Sequence, residues 1–424
     1  MLALLSAGSN AHGQLGNGSL DDSPAFQPCS FIDLPPHALP IRTSQVLGLA
    51  CGGNHTLILL EMEDRKRVLW GSGDGRRGQL GLNYQRDVLH GGSSGLFRNI
   101  QLPLRDNGLG DYSYKFVAAT WETSYVVLSC EGKVDVIISL GSDDHGDLGV
   151  NGLNRQQTLM DFHVIRFDHI LPQEGMKVDS ISSGQRHVIV HLRSGSSSIL
   201  VGWGTSRHGQ LGQPTNTPFS PRPRIVFALS DSHSDQKVLC ALGIQHTVVF
   251  HESDRISGLG SDRKGQLQVV KTFSTSCCIR SIGCTWNGSY LVVEGEEGWE
   301  VRSSGSNSHG QLGWESSEII SVGAVNFLPE LDARNTSIKI ACGSEHVVAL
   351  VTPYTIEPPM SQVWGWGWNE HGNLGIGHTE DLPAPVKLWP ASPDANGADI
   401  RGIWAGCGTS WICCHVPQSS VVLS

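Results

Sequence analysis

Short runs of apolar and β-branched residues alternate with clusters of Gly, Asn, Asp and Ser along nearly the whole chain. The clearest runs are 46–50, 56–60, 67–71, 178–181, 188–192 and 199–202. Runs of this length between turn-forming residues are typical of β-strands. No stretch combines sustained helical periodicity with capping residues. The pattern therefore predicts a chain built almost entirely from short strands.

A nine-residue glycine motif, G-x-x-x-x-G-x-L-x, occurs seven times. Its copies begin at Gly8, Gly73, Gly141, Gly204, Gly260, Gly305 and Gly367. Glycines at positions one and six suit a backbone with positive φ, and the leucine at position eight is expected to anchor the loop in the core. Five copies carry a histidine at position five: His12, His145, His208, His309 and His371. Since each belongs to a separate repeat, these side chains are expected to have structural or surface roles rather than to converge on a metal.

A second motif lies between the copies of the first, also seven times. It reads CGGNH at 51–55, ATWET at 119–123, SGQRH at 183–187, LGIQH at 242–246, CTWNG at 284–288, CGSEH at 342–346 and CGTSW at 407–411. Its histidines, expected to bond to a neighbouring turn, are His55, His187, His246 and His346. Its cysteines, which predict a small buried apolar position, are Cys51, Cys284, Cys342 and Cys407.

Seven alternations of two patterns, with about 60 residues per unit, predict an all-β fold, a seven-bladed β-propeller. One propeller is expected to occupy 1–416, followed by a short tail at 417–424. The chain opens with a strand at 2–7 and ends with one at 412–416, so one blade is split between the two ends. Pairing of these strands would close the ring and remove free sheet edges.

Composition narrows the functional classes. Thirty basic and 40 acidic residues give a formal charge of −10, which argues against a nucleic-acid or anionic-membrane binder. Eleven cysteines without a CxxC pair argue against zinc ligation and disulfides, and predict a cytoplasmic and also nuclear location. No catalytic triad, phosphate-binding loop or carboxylate pair stands out. We therefore expect no enzymatic activity, no cofactor and no stoichiometric zinc in the isolated chain.

The paired motifs, G-x-N-x-x-G-Q-L-G followed by a C/A-G-x-x-H element, resemble the regulator-of-chromosome-condensation repeat, whose family forms seven-bladed propellers. The segments CGGNH, GDGRRGQL, ATWETS, CTWNGS, VWGWGWNEHGNLG (363–375) and AGCGTSWI (405–412) are most similar to the fungal alpha-tubulin suppressor branch of that family. This resemblance implies a heterodimer with a small CSL-type zinc protein of diphthamide synthesis. It also implies support of Elongator-dependent modification of wobble uridines in transfer RNA and of diphthamide formation, with the metal held by the partner.

Tryptophans that depart from the repeat suggest where such a partner binds, because Trp is over-represented at interface hot spots. Trp121, Trp286 and Trp411 break the second motif, and Trp364, Trp366 and Trp368 alternate along one strand, where at least one is expected in the core. Nearby acidic residues would favour a basic partner surface. The predicted partner-binding residues are Trp121, Glu122, Trp286, Glu345, His346, Trp366, Trp368, Glu370 and Trp411.

Two other functions remain open from the residues. The first is guanine-nucleotide exchange on a small GTPase, the founding activity of the resembled family; residues 1–41 contain no Lys or Arg, unlike a basic tail for chromatin. The second is a regulatory role linked to ubiquitin ligation, although the repeats leave no room for a catalytic domain within the sequence. The long connections at 83–115, 150–177 and 213–237 have no assigned role.

Overall fold

Seven small antiparallel sheets surround a central channel in the computed structural model. The structure describes residues 2–89, 95–151, 161–170, 175–195, 197–212, 217–229, 237–251, 255–273, 278–314, 321–327, 331–355, 361–390 and 399–415. The seven-bladed propeller predicted from the sequence is confirmed. The predicted tail at 417–424 lies outside the described residues. Neither of the helices in the described part of the chain is long and apolar enough to cross a membrane.

Each blade is numbered in chain order, and its strands run from the channel outward. The first blade contains β3 (Thr43–Cys51), β4 (His55–Met62), β5 (Arg67–Gly73) and β6 (Arg98–Asn99). The second contains β7 (Ser113–Ala119), β8 (Thr123–Ser129), β9 (Val136–Gly141) and β10 (His163–Ile165). The third contains β11 (Lys177–Ser183), β12 (His187–Ser194), β13 (Ser197–Thr205) and β14 (Phe219–Leu229).

The fourth blade has three strands, β15 (Val238–Leu242), β16 (His246–His251) and β17 (Arg255–Gly260). The fifth contains β18 (Cys278–Cys284), β19 (Gly288–Gly295), β20 (Gly298–Gly305) and β21 (Gly323–Ala324). The sixth contains β22 (Thr336–Cys342), β23 (His346–Pro353), β24 (Gln362–Gly367) and β25 (Leu382–Trp389). The short helices in the described residues all lie in connections: α1 (Leu82–Leu89), a 3₁₀ turn (Arg105–Asn107) and α2 (Gln268–Lys271).

The two ends of the chain meet in the seventh blade, as the sequence predicted. Its strands, from the channel outward, are β26 (Asp399–Ala405), β27 (Thr409–His415), β1 (Leu2–Gly8) and β2 (Ser23–Pro28). Strand β1 pairs antiparallel with β27 from Leu2 opposite His415 to Gly8 opposite Thr409. The ring is therefore closed by backbone hydrogen bonds between the first and last strands.

The hydrophobic core is divided among the seven interfaces between adjacent blades. Each cluster of buried side chains joins two neighbours, as Trp203 joins the second and third blades and Trp364 the fifth and sixth. The smallest cluster lies between the third and fourth blades. The leucine at position eight of every glycine motif is buried, as predicted: Leu15, Leu80, Leu148, Leu211, Leu267, Leu312 and Leu374. Each motif loop is thereby fixed to the core of its own blade.

Candidate functional site

Both sequence motifs lie on one face of the propeller. In each blade the second motif turns from the first strand to the second, and the glycine motif follows the third strand, which runs towards the same end. The two are joined by backbone hydrogen bonds, such as Asp74 N–H to Asn54 O at 2.8 Å. Gly73 has a φ of +100°, and a Cβ there would lie 2.3 Å from the Asn54 oxygen, so this position requires glycine. We call this surface, formed by the turns and loops of both motifs, the motif face.

Histidines of the second motif connect each blade to the next. The Nε2 atom of His55 lies 2.9 Å from Ser124 Oγ of the second blade, and His187 lies 3.0 Å from Thr247 Oγ1. His246 and His346 contact Ser289 and Ser410 in the same way, both at 3.1 Å. The sequence predicted a bond to a neighbouring turn, but the partner is a hydroxyl on the second strand of the following blade. We call these four contacts the histidine clamps.

Burial controls the charge of the clamps. All four imidazoles are at most 1% exposed, and burial lowers the pKa of His55, His246 and His346 to about 4 and that of His187 to about 3. The neutral imidazole therefore predominates at neutral pH. Each Nδ1 atom is buried without a hydrogen-bond partner, which is consistent with a tautomer that carries its proton on Nε2. His346, predicted to contact a partner, is buried in this structure and connects the sixth blade to the seventh.

The seventh copy of the second motif is displaced by two residues from its predicted register. Gly8 pairs with Thr409, whereas the equivalent Gly73 pairs with His55. The true seventh turn is thus 405–409 rather than 407–411. Ala405, not Cys407, occupies the position of Cys51, so the predicted column of four cysteines contains three.

This register places Trp411 inside strand β27, where it is 0% exposed and packs in the core between the seventh and first blades. Trp366 is also 0% exposed, and its Nε1–H donates to the Gln311 carbonyl of the fifth blade at 2.9 Å. A fully buried indole has no surface to offer a second protein. In this structure Trp411 and Trp366 therefore present no surface for the predicted partner contact, while the expectation that the strand tryptophans include core residues is confirmed.

Trp121 and Trp286 occupy a different position in the motif, at the mouth of the channel. They come from the second and fifth blades, on opposite sides of the ring, and their ring centroids lie 6.2 Å apart with an interplanar angle of 49°. Both side chains are partly exposed. The Trp121 indole also covers Gly53 of the first blade, where an added Cβ would lie 2.9 Å from the ring. The structure thus brings together two of the three tryptophans that the sequence singled out.

Backbone hydrogen bonds hold this mouth in place from blade to blade. Gly53 N–H donates to the Trp121 carbonyl at 2.9 Å, and Trp121 N–H donates to that of Gln185 at 2.8 Å. On the other side, Trp286 N–H donates to the Ser344 carbonyl at 2.7 Å, and Ser344 N–H to that of Gly406 at 3.1 Å. The two indoles are therefore attached to a backbone that is already ordered.

Behind the indoles lies a channel of about 380 Å³, lined mainly by small residues of the innermost strands. Its cysteines are Cys51, Cys240, Cys284, Cys342 and Cys407. Burial raises the pKa of Cys51 to about 11 and that of Cys284 to about 12, which keeps both as thiols. Within the described ranges, no three His, Cys, Asp or Glu side chains are arranged to hold a metal ion.

The acidic candidates have three different environments. Glu345 is 9% exposed and accepts hydrogen bonds from Asn287 Nδ2 at 2.7 Å and Gln311 Nε2 at 2.9 Å; burial raises its pKa. It connects the fifth and sixth blades and offers little surface for the predicted partner contact. Glu122 is partly exposed and lies 3.9 Å from Arg77, and Glu370 is exposed on the motif face.

Trp368 forms a second aromatic surface near Glu370. Its ring lies edge-on to His309 and His371, with centroid distances of 6.2 and 5.2 Å, and its Nε1–H donates to Glu370 Oε2 at 3.3 Å. His309 Nδ1 lies 2.8 Å from Asp381 of the sixth blade, and His371 Nδ1 lies 2.6 Å from Asp22 of the seventh. These motif histidines join adjacent blades at the surface rather than converging on an ion.

Sequence reasoning missed a cluster of positive charge on the motif face. Its members, which we call the basic sector, are Arg186, Arg207, Arg263 and Lys264 of the third and fourth blades. No salt bridge found in the described segments involves any of them. Burial and then Arg263 and Arg207 lower the pKa of His208. The signal was present in the sequence as Arg207 in the fourth copy of the glycine motif and Arg263 and Lys264 in the fifth, but an overall charge of −10 obscured it.

Comparisons with known proteins agree with this architecture. A model described as the regulator of chromosome condensation (RCC1) repeat matches residues 3–59 and 361–414. These two segments, which lie in the first, sixth and seventh blades, are therefore similar to RCC1 repeats. Similar proteins include the secretion-regulating guanine nucleotide exchange factor of Mus musculus, 26% identical over 99% of this chain and 85% of the relative. An RCC1 repeat-containing protein of Schizosaccharomyces pombe is 25% identical over 96% of this chain and 98% of the relative.

Solved structures support the same fold. Human WBSCR16 superposes with a TM-score of 0.70 at 19% identity, covering 98% of this chain and all of that one. Prp20p of Saccharomyces cerevisiae superposes with a TM-score of 0.72 at 17% identity, covering 99% of this chain and 92% of that one. At these identities the likeness concerns the fold alone.

Proposed function

We propose that this protein is a non-enzymatic scaffold that binds a partner protein on the motif face, over the mouth of the channel. The observation that carries the proposal is the meeting of Trp121 and Trp286, partly exposed, at the centre of that face. The proposed partner is a small CSL-type zinc protein, which would form a heterodimer with this chain and bring the only metal. The pair would support Elongator-dependent modification of wobble uridines in transfer RNA and diphthamide synthesis.

The mouth is suited to binding because its main parts are already ordered. Side-chain and loop ordering normally opposes association, but here the turns that carry both indoles are bonded to neighbouring blades. An indole contributes a large contact area with few rotatable bonds. Trp121 and Trp286 are therefore good candidates for the central anchors of an interface.

Charges around the mouth would orient the partner. The basic sector lies on the side of the third and fourth blades, whereas Glu122 and Glu370 belong to the second and sixth blades. A partner with complementary potentials would approach faster and in one orientation, and added salt would slow its association. The sequence suggested only acidic residues near the partner site, whereas the motif face carries both acidic and basic side chains.

The indole pair can be tested with purified, zinc-loaded CSL-type protein as the probe. Trp121→Ala and Trp286→Ala are expected to weaken binding about tenfold or more, or about 1.4 kcal/mol, with a small change in melting temperature, because each indole is only partly buried. Trp411→Ala is the matched control. It should lower stability by about 3–5 kcal/mol and leave the affinity of the remaining folded protein unchanged. Affinity is measured by calorimetry and stability by thermal and urea unfolding.

Two results would remove the proposed site. One is normal affinity in both mouth variants. The other is a loss of stability in Trp121→Ala and Trp286→Ala as large as that in Trp411→Ala, which would identify the pair as a structural plug. A wild-type chain that fails to bind the probe at all would remove the proposed partner but leave the mouth open to another.

Guanine-nucleotide exchange on a small GTPase is the second candidate. It is favoured by relatives named as secretion-regulating guanine nucleotide exchange factors in Mus musculus and Bos taurus, which match 99% and 98% of this chain. The two functions differ in their readout. Catalytic amounts of the chain that accelerate release of a fluorescent guanine nucleotide from a small GTPase would support exchange, and rates equal to the spontaneous rate would oppose it.

A further inference from the structure

In the part of the chain that the structure describes, the fourth blade has no strand outside its third strand, β17. The glycine-motif loop that follows β17 leads directly into the four-residue helix α2. No residue of β17 is buried, from an exposed Arg255 to a partly exposed Gly260. The equivalent strands of the other six blades all contain buried residues. Strand β17 is therefore less buried than its counterparts, although helix α2 contacts it.

Its outward-facing backbone groups can be identified from the other blades. Gly260 pairs with His246 as Gly73 pairs with His55, so Ile256 is equivalent to Leu69. The Leu69 carbonyl accepts a hydrogen bond from Ile100 N–H at 2.8 Å. In the fifth blade, the equivalent Val301 carbonyl accepts one from Val325 N–H, also at 2.8 Å.

In the fourth blade, no described residue supplies the corresponding bond to Ile256. Because outward and inward groups alternate along a strand, Gly258 faces the same way. The outward-facing backbone groups of β17 thus belong to Ile256 and Gly258. In other blades, the equivalent backbone groups pair with a fourth strand.

The long outer strands elsewhere are protected by proline, which has no N–H to pair with another strand. Strand β14 carries Pro221 and Pro223, β25 carries Pro383 and Pro385, and β2 carries Pro24 and Pro28. Strand β17 reads RISGLG and carries none. The fourth blade, whose described residues form no outer strand, therefore also has no proline on its third strand to block pairing.

We propose that β17 accepts an extended segment of a partner protein as the missing fourth strand of this blade. Backbone bonds to Ile256 and Gly258 would provide the pairing, as in strand addition to other exposed sheet edges. The basic sector indicates which charge one end of the partner segment carries. Arg263 and Lys264 follow the end of β17 and are exposed on the motif face, so a segment with Asp or Glu at that end is complementary.

Hydrogen exchange tests the edge directly in the full-length chain. The amides of Ile256 and Gly258 are expected to exchange at least tenfold faster than those of Leu69 and Gly71, their counterparts in the first blade. Strong protection of Ile256 and Gly258 in the free protein would overturn the proposal, since it would mean that the edge is already paired.

Binding is tested with a fluorescein-labelled decapeptide of alternating Val and Glu, with a Val-Lys decapeptide as the charge control. The acidic peptide should bind at least tenfold more tightly than the basic one and protect the Ile256 and Gly258 amides. Ile256→Pro, which removes an outward N–H, should weaken binding at least tenfold, while Ile256→Val should not. The double variant Arg263→Glu/Lys264→Glu should also weaken binding, while Arg77→Glu on the first blade should not.

Each outcome decides the proposal. Unchanged affinity in a folded Ile256→Pro variant would overturn it, as would equal affinity for the two peptides. If Ile256→Pro does not fold, the wild-type exchange data decide: protection of Ile256 and Gly258 on adding the acidic peptide supports strand addition, and its absence rejects it.

Discussion

Deletion of residues 2–8 is expected to leave the chain unfolded or aggregated under conditions in which the intact chain is monomeric. Strand β1 pairs with both β27 and β2. It also contributes Leu4 to the core between the seventh and first blades and Leu5 to the core between the sixth and seventh. Loss of each buried leucine alone costs about 2–5 kcal/mol, against a total stability of about 5–15 kcal/mol for a typical protein.

A permuted chain provides the matched control. Leu2 lies opposite His415 in the ladder, so a short linker from 415 to 2 would convert β27 and β1 into a hairpin. A chain that runs from 43 to 415 and then from 2 to 42 keeps every strand while moving the ends. It should fold with a melting temperature near that of the original. A truncated chain that keeps its melting temperature would show that ring closure through β1 is unnecessary.

Stability is expected to fall steeply as the pH decreases from about 6.5 to about 4. The four clamp histidines have folded-state pKa values of about 3 to 4, below the ordinary value of 6.5. The unfolded chain therefore binds protons in this window while the folded chain does not, and stability decreases as pH falls. Above about pH 6.5 the four histidines make their full contribution to the free energy of unfolding. Below their folded-state pKa values that contribution is lost. Each histidine contributes a slope of about 1.4 kcal/mol per pH unit inside the window.

Carboxyl groups also change stability with pH, some of them in the opposite direction, so the histidine contribution must be isolated by substitution. Burial raises the pKa of Asp147 and Glu345, and such groups make the folded state more stable as the pH falls. Urea unfolding of the wild type and His187→Gln at pH 7, 6, 5 and 4.5 gives the difference in slope. The variant should be less pH-dependent by about one proton. His378→Gln, with an exposed side chain outside the clamps, should match the wild type; equal slopes for all three would reject the explanation.

The repeats determined much of this structure without tertiary information. Each glycine motif encodes a turn that its own residues stabilise: Gly73 meets the local backbone, and Leu80 enters the core of the same blade. Seven copies therefore specify seven blades, and a strand before the first copy indicates how the ring closes. These predictions depend on contacts between residues that are close in sequence, which is why the pattern alone supports them.

Four features were decided only by the tertiary structure. The register of the last turn, and with it the burial of Trp411, depends on pairing with β1 at the other end of the chain. The contact between Trp121 and Trp286 joins blades on opposite sides of the channel. The basic sector gathers residues from separate repeats, and the exposure of β17 depends on the three-stranded sheet that the described residues of the fourth blade form. A repeat specifies the shape of its own unit, but which side chains meet across the ring follows from the closure of all seven units around one axis.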